Sequence, residues 1–590
     1  MTKVFVEPIG VTVEASRDES LLDALTAAHV EVPTTCGGRG TCGKCLVRLG
    51  AGELSPPSEV ERQKIPAERL AQGWRLACQA QPLSARVSIE VRGHGGRRQL
   101  LTASQLHHGT AAPAVSKQVV TFRKPALDDT RSDVERIQAA LPGAEVPYHI
   151  LQTLPDVLRR HGWRASVVRY GRRIIDVDDP DADDGLYGAA VDIGTSKIVS
   201  YLFDLRRGEL LDQEALENPQ MRYGEDVISR IAQADDGLRQ EIAAAARDGV
   251  NETLTRLCAR QHIEARHIYD LTIVGNTAMH HLVLGVPAQG LGQAPYAPVV
   301  AGPLLLRAAD LGLAVNPEAG VYLPPPIAGF VGSDALAVAA ATHLALKRKP
   351  AMAIDIGTNT EISLAVGGKV TVTSCASGPA FEGYQIQHGM KAVEGAIEKV
   401  AIGADGHPTT IETIAGVPPV GMCGSGVVDV LAGLVRAGVV DRSGRMQEHP
   451  LVRERAGGRE YVLTRGPNGD IVFTQHDVRA LQLAKAAIAT GWALLLRRLA
   501  IGVADLEHVY VAGAFGNYLD LDAAQQLGLF PPVARGRVAF VGNAAGVGAQ
   551  MALIDVRARC SMERLRARMG FLELATDSEF LAAFSDRLGF

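Results

Sequence analysis

Four cysteines in this chain have the types and spacing to do chemistry. Cys36, Cys42 and Cys45 lie in TTCGGRGTCGKCLV with the pattern Cys-x5-Cys-x2-Cys, and Cys78 follows far downstream in RLACQA. Four thiolates are the ligand set of a 2Fe-2S cluster. The plant-type pattern, Cys-x4-Cys-x2-Cys with a distant fourth cysteine, differs by one residue. The intervening glycines let the backbone wrap closely around such a cluster. Four cysteines could also make a zinc site or a redox disulfide pair. Zinc sites usually assemble their ligands in pairs, whereas Cys78 has no nearby Cys or His. The cluster is the expectation.

A second chemistry is written twice. YGAAVDIGTSKIVSYLFDL and PAMAIDIGTNTEISLAV each run an apolar strand into Asp-Ile-Gly-Thr and then into another apolar strand. The strand delivers a carboxylate, Asp192 or Asp355, which can hold Mg²⁺, usually through water. Gly194 or Gly357 lets backbone N–H groups approach a phosphate. Thr195 or Thr358 adds a hydroxyl. Two such hairpins face to face would clamp a polyphosphate. Later glycine turns follow apolar strands: Gly513 and Gly516 in VYVAGAFGNYLD, and Gly542, Gly546 and Gly548 in RVAFVGNAAGVGAQ. MCGSGVVDVLAG sets Gly424 and Gly426 at a helix start, and LTIVGNTAMHHLV sets Gly275, Asn276 and Thr277 at a strand end. Helix N-termini suit phosphates, but each turn taken alone is equally an ordinary strand-to-helix connection. No residue stands out as the catalyst of hydrolysis.

The elements that must position these residues fill a long chain. Its 590 residues suggest about four domains. With 47% hydrophobic and 21% charged residues, large buried cores are available. A net charge of −5 implies no nucleic-acid surface. Eight cysteines in this length are not a disulfide scaffold, and Cys258, Cys375, Cys423 and Cys560 read as structural thiols. The start lacks a signal-peptide pattern. The most apolar helical stretch carries Lys485, Arg497 and Arg498, so it reads as a buried helix rather than a membrane span. The expected location is the cytoplasm, without membrane or nucleic-acid partners.

Residues 1–92 predict a small α/β unit: a hairpin, a short helix capped by Ser20, the cysteine loop, then short strands. Their order resembles the β-grasp ferredoxin domain. Residues 93–117 read as a flexible linker, with His107 and His108 as solvated side chains. Residues 118–185 predict a small α/β middle domain. It has a capping box at Ser132 and Glu135, a second helix with Pro155 in its first turn and Gly162 past its end, and a hairpin about Gly171. Residues 186–590 carry the two DIGT halves, divided at about 186–349 and 350–590.

The paired DIGT hairpins, the VGNT turn and the VAGAFG turn resemble the acetate/sugar kinase, heat-shock chaperone and actin ATPase superfamily. With the leading cysteine module and the small middle domain, the whole chain resembles the reductive activators of corrinoid proteins. The resemblance implies a multidomain α/β protein: a β-grasp 2Fe-2S ferredoxin domain, a middle domain mediating homodimerisation, and a two-lobed actin-like (ribonuclease H-like) ATPase. It implies Cys36, Cys42, Cys45 and Cys78 as cluster ligands. It implies Asp192, Gly194, Thr195, Asp355, Gly357 and Thr358 as phosphate residues, with Gly513 and Gly516 on the adenosine side. The implied cofactors are a 2Fe-2S cluster, ATP and Mg²⁺. The implied activity is ATP-assisted return of one electron to the Co(II) state of a corrinoid protein or cobalamin-dependent methyltransferase, fed by an upstream low-potential donor.

Three rivals remain at this level: a small-molecule kinase with an appended ferredoxin, a non-enzymatic electron carrier or redox sensor with a degenerate ATPase fold, and an activator of a radical dehydratase. The last usually holds a shared 4Fe-4S cluster within its ATPase fold, unlike the separate cysteine module here. Ser374, Ser377 and Glu382, after the second hairpin, could face the nucleotide, meet the corrinoid partner, or form a connecting loop. Asp334 reads as a helix-end residue in preference to a cleft residue.

Overall fold

The computed structural model describes every residue except 1, 8–10, 17, 29, 31, 33–39, 41–44, 66, 92–96, 99–110, 183–184, 225, 384, 456, 468 and 514–518. His107 and His108, with most of the expected linker, therefore lie outside the described residues. The chain forms two compact units. One comprises Met1–Leu100, Cys375–Gly542 and Ala575–Phe590; the other comprises Leu101–Ser374 and Asn543–Leu574.

In the first unit, the N-terminal segment builds a five-stranded sheet in the order Val11–Ala15, Thr2–Glu7, Arg86–Val91, Leu46–Ala51, Trp74–Leu76. Thr2–Glu7 pairs antiparallel with its hairpin partner and parallel with Arg86–Val91, the β-grasp arrangement. Period-two alternation buries Val4, Val6, Val13 and Val87 beneath Leu21, Leu22 and Leu25 of the helix Leu21–Ala27. A short helix, Glu59–Lys64, starts in a capping box between Ser58 and Glu61. Glu61 is fully buried; it pairs with Arg75 at 2.8 Å and accepts from Leu76 N at 2.9 Å. The same carboxylate thus caps a helix and pins the strand that leads to Cys78.

Later in this unit, the apolar stretch carrying Lys485 forms the helix Gln475–Arg498, capped by Thr474 and Asp477 and buried along much of its length. Lys485 Nζ donates to Gly589 O and stands over the Phe590 ring. No helix among the described residues is long and apolar enough to cross a membrane.

The second unit contains three sheets' worth of strands. A three-stranded antiparallel sheet, Val115–Thr121, Arg164–Tyr170 and Arg173–Asp178, packs on helices Asp133–Ala140 and Tyr148–Arg160 around Ile137, Leu154, Leu158 and Ile174. Pro155 falls inside the second helix, not in its first turn. The buried stripe Ile150, Leu154 and Leu158 extends the helix toward its N-terminus and outweighs the backbone bond that proline forfeits.

A six-stranded sheet follows in the order Glu209–Glu217, Lys197–Asp204, Tyr187–Ile193, Ile268–Gly275, Gly320–Leu323, Leu304–Arg307. Its first three strands form an antiparallel meander, and Ile268–Gly275 joins in parallel. The helix Arg239–Gln261 covers one face, burying Ile242, Ala246, Val250 and Leu254 in the common core. The second DIGT hairpin, Ala351–Asp355 with Thr360–Val366, lies in the same unit, as do Lys369–Cys375 up to Ser374 and Met569–Phe571.

The small sheet is fastened to the six-stranded one through polar contacts. Arg559, from the helix Val556–Arg566, binds the fully buried Asp270 at 2.5 Å and donates to the Tyr170 hydroxyl. Its guanidinium also lies over Tyr322, 4.7 Å from the ring centre. Tyr269 OH donates to Asp176 at 2.9 Å, and Arg173 pairs with Glu318.

Candidate functional site: a thiolate pair and a phosphate cleft

Cys45 directly precedes the strand Leu46–Ala51, and Cys78 sits in the turn after Trp74–Leu76. Ala77 N donates to Cys45 O at 2.7 Å, tying the two segments together. The sulfurs are 3.2 Å apart and unbonded. A disulfide would hold them at about 2.05 Å. Two thiolates on one tetrahedral metal with bonds of about 2.3 Å would stand about 3.7 Å apart. The pair therefore fits ligands of a shared metal better than a disulfide. Gln79 Nε2 reaches Cys78 Sγ at 3.7 Å. Cys36 and Cys42 lie outside the described residues.

The DIGT turns form as the sequence predicts. In the first, Asp192 pairs with Val199 across the hairpin, and Gly194 N donates to Lys197 O at 2.8 Å. In the second, Asp355 pairs with Glu361. Ser196 and Thr358 bring the two turns together, hydroxyl to hydroxyl, at 3.5 Å. The VGNT turn joins them: Asn276 caps the helix Thr277–Leu284 through Oδ1 and donates from Nδ2 to Thr195 Oγ1 at 3.3 Å.

Asp334 occupies the first turn of the helix Ser333–Ala341. The start of that helix is pressed against the end of the strand Ile268–Gly275. A Cβ on Gly332 would stand 2.1 Å from Gly275 O, and Ser333 Oγ accepts from Gly275 N at 3.2 Å. Asp334 is thus the helix-end residue that the sequence predicts, and this approach also brings it within electrostatic reach of the other carboxylates. Asp334 interacts electrostatically with Asp192, and Asp355 with both.

Burial is the main cause pushing these acids up: Asp192 to about 6, Asp334 to about 7 and Asp355 to about 8. Repulsion from neighbouring carboxylates adds to the rise for Asp334 and Asp355, whereas the Asn543 hydrogen bond opposes it for Asp192. Glu361 is raised well above its ordinary value by burial, then by Asp334 and Asp355, against a bond from Ser374 Oγ at 3.2 Å. Four buried acids that resist ionising together form an environment that a divalent cation reverses, although among the described residues no three of them gather closely enough to ligate one ion directly. The donor set, hard carboxylate oxygens beside hydroxyls, suits Mg²⁺.

Glu361 escaped the sequence reading. Its signal was a carboxylate inside the otherwise uncharged strand TEISLAV, where the first hairpin has Ile198. Ser374 joins the cleft through Glu361, while Ser377 and Glu382 belong to the other unit. Gly513 follows the strand His508–Ala512 with φ +93°, and its N–H donates to Gly542 O at 3.0 Å. Gly516 lies outside the described residues.

A β-grasp module with a cysteine pair and paired Asp-Ile-Gly-Thr hairpins has the make-up of a ferredoxin-linked ATPase of the kinase, chaperone and actin type. Four family models match successive stretches of the chain. Residues 4–83 match the 2Fe-2S iron-sulfur cluster binding domain, and 104–184 the RACo linker region. Residues 187–347 match the RACo middle region, and 349–590 the C-terminal domain of RACo, the ASKHA domain. The chain is 34% identical to the corrinoid activation enzyme RamQ of Eubacterium limosum, over 97% of this chain and 96% of that one. It is 26% identical to the [Co(II) methylated amine-specific corrinoid protein] reductase of Methanosarcina barkeri, over 62% of this chain and 70% of that one. A solved structure, the reductive activator for corrinoid, iron-sulfur protein, covers 100% of this chain and 98% of its own at TM-score 0.76 and 33% identity. The chain belongs to the family of reductive activators of corrinoid proteins. Its cofactors are a 2Fe-2S cluster and ATP with Mg²⁺.

Proposed function

We propose that this protein is an ATP-dependent activator returning one electron to the Co(II) state of a corrinoid protein or cobalamin-dependent methyltransferase. The observation that carries this reading is the combination, in one family member, of a thiolate-bearing β-grasp module with a phosphate cleft lined by four acids. Bound by Cys36, Cys42, Cys45 and Cys78, a 2Fe-2S cluster supplies one-electron chemistry at roughly −400 mV. A more negative acceptor makes the step uphill by about 1.4 kcal/mol for every 59 mV. Nucleotide can offset that only through different affinities for two states of the complex. Asp192 and Asp355 would hold Mg²⁺ through water, with Asp334 and Glu361 adding to the negative surroundings, while Thr195 and Thr358 orient the phosphates. Gly513 and Gly516 would border the adenosine. The reading includes an upstream low-potential donor, a homodimer formed through residues 118–185, and a cytoplasmic location.

The test mixes purified protein, a strong reductant, MgATP and candidate corrinoid proteins, following loss of the Co(II) spectrum. ATP-dependent loss with at least one partner supports the reading. Reduction that ignores ATP, or none with any partner, overturns it. Sedimentation at micromolar concentration tests the dimer.

A further inference from the structure

We propose that Asn543 is a positioning residue of the phosphate cleft, fixing the orientation in which the Asp192 carboxylate meets Mg²⁺ and nucleotide; this rests on the ATP reading above. Asn543 caps the helix Ala544–Ile554, and its amide is divided between two tasks. Oδ1 accepts from Gly546 N at 2.8 Å, which is the cap. Nδ2 donates to Asp192 Oδ2 at 2.9 Å and to the Tyr201 hydroxyl at 3.2 Å. An amide nitrogen carries two hydrogens, and both are used. Among the described residues no other side chain donates to Asp192.

A cap alone needs only the acceptor. The donor side instead reaches across the fold to the end of the first phosphate strand. With one Asp192 oxygen held, the other stays available to a cation or its water, and Mg²⁺ retains several waters. Packing makes the arrangement specific. A Cβ on Gly546 would stand 2.8 Å from the Tyr201 hydroxyl and 3.0 Å from Asn543 Nδ2. A Cβ on Gly548 would stand 2.4 Å from Ala337 O, in the helix that carries Asp334. The helix that Asn543 caps therefore lies against both the Tyr201 side of the cleft and the Asp334 helix.

The experiment compares Asn543→Asp, Asn543→Ser and Gly546→Ala with wild type in the full chain. Asp preserves the cap acceptor and removes the donor, and Ser preserves the acceptor while replacing the long amide donor by a shorter hydroxyl. Alanine at 546 favours the helix by propensity but crowds Asn543 and Tyr201. The readouts are the Mg²⁺ dependence of ATP binding by calorimetry, affinity for Mg²⁺-free ADP, ATP turnover and the melting curve. Both Asn543 variants should need about 10-fold more Mg²⁺ and turn over about 10-fold more slowly. Mg²⁺-free ADP affinity and melting should be kept in Asn543→Ser. Asn543→Asp should melt lower because it sets a further carboxylate beside Asp192, and Gly546→Ala should shift the Mg²⁺ dependence in the same direction. Wild-type Mg²⁺ dependence in both Asn543 variants overturns the proposal. Parallel loss of Mg²⁺-free ADP binding and stability in Asn543→Ser also overturns it, by leaving Asn543 a role in folding alone. A wild type that binds no MgATP overturns the ATP reading itself, a distinguishable result.

Discussion

Ser196 Oγ and Thr358 Oγ1 stand 3.5 Å apart, although each belongs to a hairpin built in a different half of the repeated sequence. Hydroxyls that close leave the two turns opposing one another, each with an acid just behind it: Asp192 and Asp355. The halves are not equivalent. Only the second adds Glu361, directly opposite Asp355 in the strand register, so acids that resist ionising together are concentrated on that side.

That asymmetry predicts a trade between stability and activity. Asp355→Asn or Glu361→Gln removes one of several mutually repelling acids, so each should melt above wild type without Mg²⁺. Each should also lose at least about 10-fold in ATP turnover. Mg²⁺ should raise the wild-type melting temperature by binding the folded state, and raise the variants less. Scanning calorimetry with and without Mg²⁺ checks this, and variants that melt below wild type in both conditions would contradict it.

Cys45→Ser and Cys78→Ser should each abolish the visible absorption and EPR signal of the cluster after anaerobic reconstitution. MgATP affinity should be unchanged, because the cleft acids belong to the other compact unit. Iron content and calorimetry on the same samples separate the two effects.

Glu61 offers a pH prediction. Burial tends to raise its pKa, but the Arg75 bonds and the backbone N–H groups of Ser58 and Leu76 outweigh it, and the net shift is downward. A lowered carboxylate gives stability that is complete above its unfolded value and is lost as pH falls through the folded one. Bleaching of the cluster by urea should therefore become easier on acidification in wild type. Glu61→Gln should be weakened already at pH 7, by about 3–5 kcal/mol, because Arg75 stays buried without its partner. Its acid dependence should be shallower.

Arg559→Met should likewise cost about 3–5 kcal/mol by stranding Asp270. Adding Asp270→Asn should recover much of the loss. Urea melts of the two single variants and the double variant measure the coupling.

The β-grasp order and both DIGT hairpins were legible because alternation, glycine turns and repeated motifs are local signals. Ser20, Ser132 and Glu135 were legible for the same reason. The remainder of the cleft was not. Asp334 and Asn543 look like ordinary helix-start residues, and their roles come from contacts with segments far away in sequence. Tyr201 is one more aromatic in an apolar strand until Gly546 leaves room beside it. Pro155 misled because its propensity marks a first turn, while the buried stripe that set the real boundary begins earlier.

The Arg559 clamp has a mechanical corollary. With Tyr170 and Asp270 fastened to one guanidinium, the three-stranded sheet is bracketed onto the six-stranded one, so a change at Arg559 reaches both sheets at once.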